Sequence, residues 1–240
     1  MKVVILAGGR GTRLREITND AIPKPLVESN GKPILERIIC NYRNAGFTDI
    51  ILSLGYKGYM IKEYFGDGKW LGVNIQYSEV DAEKISTGGQ LLKVKELIGD
   101  ERFILGYSDT ELELDKISIV SKQDYMLSMT GKVVSGDLSR FGVIETSGNE
   151  IVKFNEKPNI WGTGIVNVGF YVLHHEVFHF MEKNFGTKEI FSFEQEVIPL
   201  ILSEYRVGWI DYAGRFKDLG IPKDYLDYKK WAEKTEKMIG

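Results

Sequence analysis

Residues 2–7, KVVILA, form an unbroken apolar run followed at once by glycines, a pattern that predicts a buried strand opening into a loop. Residues 34–45 carry apolar positions at helical spacing and stop at Gly46, a natural left-handed cap. The pattern then predicts a strand at 49–54, a short helix at 59–65 closed by Gly66, a strand at 73–77, a helix at 90–97 and a buried strand at 102–106. Strands that alternate with helices pair in parallel through crossovers, so the first half reads as an α/β sheet covered on both faces. Ligands of such sheets sit at the carboxyl ends of the strands. Past residue 115 the rhythm changes. Strand-like segments around 125–130, 141–145, 151–155 and 169–173 are joined by short turns such as Ser147-Gly148-Asn149, which predicts an antiparallel or mixed extension of the sheet. Helical patterns return at 175–183, 192–203 and 225–238, and no internal repeat or low-complexity tract interrupts them, so residues 1–240 read as one domain.

Composition narrows the partners. A formal charge of −3, with basic residues dispersed among acidic ones, gives no footprint for nucleic acid. The runs VVILA, IILSL and FILGY are too short to span a bilayer, and the start MKVVILAGG lacks a signal peptide's apolar region, so a soluble cytoplasmic protein without a membrane partner is expected. The single cysteine, Cys40, excludes an internal disulfide and, within ILERIICNY, is expected to be a core residue.

The opening loop GGRGTRL is not a Walker A loop, which needs a Lys-Ser/Thr pair after its second glycine. Nor is it a dinucleotide fingerprint, because Leu14 stands at the last glycine. Gly8, Gly9 and Gly11 leave backbone N–H groups open to a polyphosphate, with Arg13 adding fixed charge; an ordinary strand-to-loop turn explains the glycines equally well. Lys24 shifts the balance towards phosphate. Lying between Pro23 and Pro25, its backbone is expected to be extended and its side chain aimed with little freedom.

Two carboxylates stand at sheet edges: Asp109 after the strand RFILGY, and Asp218 in a loop of GRFKDLGIPKDY between a strand and the final helix. Either alone reads as a turn former. Glu111, Glu113 and Asp115 nearby are read as solvated or capping residues. Thr87, Gly88 and Gly89 precede a helix, where a plain N-cap is the default reading. Glu156 and Lys157 present an acceptor and a cation ahead of Pro158, as a solvated turn also would. His175 and His179 have the i, i+4 spacing of a zinc pair, but no further ligands accompany them and surface histidines are the reading adopted for His174, His175 and His179.

The stretch LAGGRGTRLREITNDAIPKPLV resembles the signature LAGGxGTRLxPLTxxxPKP of the sugar-1-phosphate nucleotidylyltransferases. The resemblance extends from Lys2 to about Tyr228 and implies a three-layer α/β/α sandwich with a mixed, mostly parallel central sheet. It also implies a reaction, the joining of a nucleoside triphosphate to a sugar 1-phosphate with release of pyrophosphate, and Mg²⁺ as cofactor. On this resemblance the nucleotide would lie against Leu6, Ala7, Gly8, Gly9, Gly11 and Thr12, with Arg13 and Lys24 holding the triphosphate. Thr87, Gly88 and Gly89 match the GTGG or MTGG element of the base pocket, and Glu79 is a candidate for the base edge. Asp109 and Asp218 match the metal-holding pair, the latter in a D-x-G-T-P-x-D-Y element. Glu156 and Lys157 match the E-K-P element for sugar hydroxyls and sugar phosphate, Gly142 the R-F/Y-G glycine, and Asn167 and Gly169 a further element beside the sugar. Nucleotide and sugar phosphate would thus divide the chain at about residue 115.

The chain departs from the pattern in places. Glu16 replaces a proline, as in the glucose-1-phosphate cytidylyltransferase branch; one extra residue precedes Pro23; Ser108 and Ile221 replace a glycine and a threonine. After residue 115 a helix usual in the family is expected to be trimmed or missing. GYKGYMIKEYF and STGG also point to the cytidylyl branch, while the length and KDLGIPKDY match guanylyl and thymidylyl branches equally. Nucleobase, sugar and homo-oligomeric state stay open, as do a phosphocholine-type acceptor and a catalytically silent, nucleotide-sugar-sensing subunit.

Overall fold

The computed structural model describes residues 1–114 and 125–239, with side chains through residue 232. The first stretch runs β1 (Lys2–Ala7), α1 (Arg15–Thr18), β2 (Glu28–Ser29), β3 (Lys32–Pro33), α2 (Ile34–Asn44), β4 (Asp49–Leu54), α3 (Gly58–Phe65), β5 (Asn74–Glu79), α4 (Thr87–Leu92), α5 (Lys95–Ile98), β6 (Phe103–Tyr107) and β7 (Thr110–Leu112). The second runs β8 (Leu127–Asp137), β9 (Gly142–Ser147), β10 (Glu150–Glu156), β11 (Trp161–Leu173), α6 (Glu176–Phe185), α7 (Ile198–Glu204), β12 (Val207–Asp211), β13 (Phe216–Asp218) and α8 (Pro222–Ile239). The helix expected to be trimmed after residue 115 falls on residues outside those described.

Nine strands form one mixed sheet in the order β5-β4-β1-β6-β11-β8-β12-β10-β9. The strands β5, β4, β1 and β6 are mutually parallel; β11 joins β6 antiparallel, and β12 lies parallel to β8. β1 shows why its sequence is apolar throughout. Val3, Ile5 and Ala7 enter one core with α2 and α3, whereas Val4 and Leu6 enter the other, with α6 and the 191–201 segment. A strand buried on both faces cannot alternate polar and apolar residues. No described helix is long and apolar enough to cross a membrane.

Several elements differ from the sequence expectation. The helix expected at 90–97 starts at Thr87 and divides into α4 and α5; at the junction Val94 is fully buried and its N–H bonds Leu91 O three residues back, tightening the turn. The segment expected as one helix at 192–203 opens as a π-turn, Phe193–Val197, and becomes α-helical only at Ile198. Pro199, which has no N–H for residue 195, stands at that change. Strands β8 and β11 extend much further than expected because they pair with each other along Trp161–Asn167 and Tyr171–Leu173. Cys40 is half-buried against the core, and burial pushes its thiol pKa up.

Candidate active site

A cleft of about 590 Å³ opens along the carboxyl ends of β1 and β6 and is bounded on its far side by β9, β10 and β11. Three parts of its wall are built by residues at strand ends on the sheet edge.

The first is the glycine loop. Gly11 has φ 64°, and a Cβ there would fall 2.8 Å from the Lys24 Cβ, so a left-handed backbone and the close approach of Lys24 both demand glycine. Thr12–Leu14 then make a 3-10 turn pinned by the fully buried Leu14, which holds Arg13 over the cleft. Lys24 itself is not extended as expected. Pro23 is extended (ψ 148°), while Lys24 opens a 3-10 turn, Lys24–Leu26, closed by Leu26 N–H bonding Pro23 O. Upstream of Pro23, Asn19 and Asp20 are both left-handed, and Lys57 Nζ donates to the carbonyls of Asp20 and Ala21. The Lys24 ammonium donates to Asp109 Oδ2, with only 11% of the lysine side chain and 22% of the aspartate's exposed.

The second brings the backbones of the two aspartates together. Asp109 directly precedes β7, and Asp218 ends β13, which pairs antiparallel with β7 so that Asp218 lies opposite Thr110; Leu219 N–H completes the join to Asp109 O at 2.8 Å. Asp218 therefore ends a short strand, not the loop expected. Each carboxylate faces its own cation. Arg140 Nη2 donates to Asp218 Oδ2 at 2.7 Å, and Gly220 N–H to Asp218 Oδ1 at 2.8 Å. Burial works against ionisation of Asp109, but Lys24, with Arg13 behind it, outweighs burial and holds the carboxyl below its ordinary range. Among the described residues no three Asp, Glu, His or Cys converge as a metal-ligand group. The donors on offer are two carboxylates, hard oxygens of the kind that hold Mg²⁺ jointly with substrate phosphates.

The third segment lies across the cleft. A Cβ on Gly142 would overlap the Phe154 ring and come within 2.9 Å of Glu156 Oε2, so glycine leaves room for both. Glu156 is mostly buried and pairs with Lys157 Nζ at 2.9 Å, while Lys157 is left-handed (φ 49°) and its N–H bonds Phe141 O at 3.0 Å. A non-glycine residue in that conformation at a cleft wall is held there by its surroundings. In β11 the five residues from Asn167 to Tyr171 lie opposite only three of β8, Gly131 to Met129, so the strand bulges there. Asn167 Oδ1 accepts from Gly169 N–H at 3.1 Å and its Nδ2 donates to Tyr171 Oη at 2.6 Å.

Of the predicted residues, Leu6, Gly8, Gly9, Gly11, Thr12, Arg13, Lys24, Thr87, Asp109, Gly142, Glu156, Lys157, Asn167, Gly169 and Asp218 line this one cleft. Four lie outside its lining. Ala7 is buried in the core. Gly88 and Gly89 are buried, with Gly88 N–H bonding Phe191 O at 3.0 Å, so their lack of side chains admits the 189–191 segment. Glu79 is exposed and paired with Lys62 at 2.7 Å.

Tertiary contact adds residues that sequence reading passed over. Gln90 packs against Gly8. Glu194 accepts from Tyr107 Oη, from Thr87 Oγ1 at 2.8 Å and from Ser192 Oγ at 3.0 Å; burial, then the Glu194 charge, pushes the Tyr107 hydroxyl pKa well up. The only sequence signal for Glu194 was its place two residues after Ser192 at a helix start. The three histidines lie elsewhere, on α6 and just before it, with the rings of His174 and His175 4.4 Å apart and His179 exposed.

The sequence profile of the Nucleotidyl transferase family matches residues 2–235. The chain is 33% identical to "Probable glucose-1-phosphate cytidylyltransferase" of Bacillus subtilis over 96% of this chain and 95% of that protein. It is 32% identical to "D-glycero-alpha-D-manno-heptose 1-phosphate guanylyltransferase" of Campylobacter jejuni over 95% and 98%. The crystal structure of HddC from Yersinia pseudotuberculosis superposes with a TM-score of 0.80 at 32% identity, covering 95% of this chain and 98% of that one; HddC has also been solved complexed with GMP-PN. With the glycine loop, the paired carboxylates and these likenesses in place, the chain belongs to the nucleotidyl transferase family.

Proposed function

We propose that the protein joins a nucleoside triphosphate to a sugar 1-phosphate, giving a nucleoside diphosphate sugar and pyrophosphate. The observation that carries this reading is the layout of the cleft: Arg13 and Lys24 at the glycine loop, Glu156 and Lys157 opposite, and Asp109 beside Asp218. Backbone N–H groups of the loop, with Arg13 and Lys24, bind the triphosphate; Lys157 binds the sugar phosphate and Glu156 accepts from sugar hydroxyls. An oxygen of the sugar phosphate attacks the α-phosphorus, and the bond from that phosphorus to the bridging oxygen breaks as pyrophosphate leaves. The attacking oxygen is already anionic, so no side chain removes a proton, and the residues act by alignment and charge stabilisation.

The two carboxylates fit a hard divalent ion, and Asp109 and Asp218 would hold Mg²⁺, which when bound neutralises charge on the phosphates. On that reading Lys24 exchanges its partner, leaving Asp109 for the triphosphate. The relatives' names support a nucleoside triphosphate of the cytidine or guanosine type and a hexose or heptose 1-phosphate. A sensing subunit without turnover is disfavoured because Arg13, Lys24, Asp109 and Asp218 are all present.

The test is pyrophosphate release with Mg²⁺, each nucleoside triphosphate being offered with a panel of sugar 1-phosphates that includes glucose and mannoheptose. Release that requires one particular pair supports the reading and names the substrates. Binding of nucleotide with silence across the panel overturns it in favour of a sensor or another phosphate acceptor. In the active pair, Asp109→Asn is expected to lower the rate by about 10³-fold or more with an unchanged circular dichroism spectrum; parent-like turnover would reject the metal assignment.

A further inference from the structure

The element DLGIPKDY carries a second aspartate, Asp224, to which nucleotidyl transfer as described gives no task. Asp224 lies in the first turn of α8, and its Oδ2 accepts from Arg140 Nη1 at 2.6 Å. The other arm of the same guanidinium, Nη2, holds Asp218 at 2.7 Å. One planar cation thus bridges the metal-type carboxylate and the final helix. Arg140 is fixed further by its neighbours: its guanidinium lies 5.6 Å from the Phe141 ring centroid, and that ring packs edge-on against Phe216, two residues before Asp218. Phe141 O in turn accepts the Lys157 N–H, and Gly142 follows directly. The orientation of Asp218 and the placement of the Glu156–Lys157 wall therefore meet at one side chain.

Charge explains why two carboxylates are needed. A guanidinium paired with Asp218 alone would cancel the negative charge that attracts a divalent ion. With Asp224 on its other arm, Arg140 is already neutralised, so Asp218 keeps its charge while its rotamer is held by a rigid fork. We propose that Arg140 is a positioning residue which, charge-compensated by Asp224, orients Asp218 towards Asp109 and couples the metal site to the wall carrying Glu156 and Lys157. This rests on Asp109 and Asp218 holding the metal, as in the proposed function.

Charge and geometry separate experimentally. The double variant R140A/D224N removes one positive and one negative charge, so it deletes the fork at constant net charge. Arg140→Lys keeps the charge but loses the planar, two-armed fork, and serves if the double variant misfolds. Titration with Mn²⁺ alone, followed by water proton relaxation, reads the site without turnover. Both variants are expected to bind Mn²⁺ about 10-fold more weakly, in the range found when groups orienting metal ligands are removed. D224N, which leaves Arg140 uncompensated, should weaken binding in the same direction. In pyrophosphate release, the half-saturating Mg²⁺ should rise to a similar extent, with kcat recovering at high Mg²⁺. A general folding defect would not be rescued in that way.

Parent-like Mn²⁺ affinity in both R140A/D224N and R140K, with Asp109→Asn impaired, overturns the positioning role and leaves the metal assignment standing. Unimpaired binding in Asp109→Asn overturns the metal assignment and this proposal with it.

Discussion

The strands behind the glycine loop and those behind the Glu156–Lys157 wall belong to one sheet but are built differently. In β1, β4 and β6 nearly every residue is buried, because helices cover both faces of parallel strands. In β8 the first five residues are buried and the remainder alternate towards solvent; β11 shows the same change from its other end, from an exposed Trp161 to a buried Leu173. Further out, the exposed Val133 stands opposite the half-buried Ile165, and Ser135 bonds Thr163 at 2.8 Å. The parallel strands hold the glycine loop on a fully packed base. The antiparallel arm instead carries the opposite wall on strands with one covered face, and its bulge at Asn167 to Tyr171 and its left-handed Lys157 shape the side chains locally. Rigidity thus comes from burial in one region and from hydrogen bonding and backbone geometry in the other.

Truncation should expose that contrast most clearly. Ile5→Ala, in a fully buried position, is expected to cost about 2–5 kcal/mol. Val133→Ala, which is 59% exposed, should stay within about 0.5 kcal/mol. Urea unfolding of both variants measures the difference, and similar losses would erase the distinction between the regions.

A smaller loss should come from adding one methyl to the far wall. Gly142→Ala places a Cβ against the Phe154 ring and Glu156 Oε2, with an expected destabilisation of about 1–3 kcal/mol. The disturbance is local to that wall, so KM for the sugar phosphate should rise more than KM for the nucleotide. Equal effects on both substrates would show that the walls are not independent.

The smallest effect concerns pH at the outer strands. The Arg206 side chain donates to Glu150 and, helped by Tyr125 and opposed by partial burial, holds that carboxyl below its ordinary value. A depressed native pKa stabilises fully above the unfolded value, near about 4.3, and the contribution is lost as pH falls through the native one. Glu150→Gln should therefore lower Tm slightly at neutral pH, by about 2 °C or less for an exposed pair, and the difference should vanish in acid. A gap that widens on acidification would contradict the assignment.

The sequence was most informative where function is local. GGRGTRL, Pro23-Lys24-Pro25, YSD and NEKP each lie within a few residues, and their side chains reach the cleft without help from distant register. It said less where a residue type has two uses: Gly88 and Gly89 make room for residues 189–191, and Glu79 leaves β5 towards Lys62. Glu194 and Arg140 were hidden for the complementary reason, since their partners, Tyr107 and Thr87 for one and Asp218 and Asp224 for the other, are brought near by folding alone.

By itself, then, the chain's pattern determined the parallel α/β half, the strand-rich second half and the position of the glycine loop, because burial on two faces and glycine-dependent backbone shapes write themselves into neighbouring residues. Only the tertiary structure decided that Asp218 meets Asp109, through the pairing of β13 with β7, and that Arg140 bridges Asp218 and Asp224. Register between strands far apart in sequence depends on packing that no local pattern records.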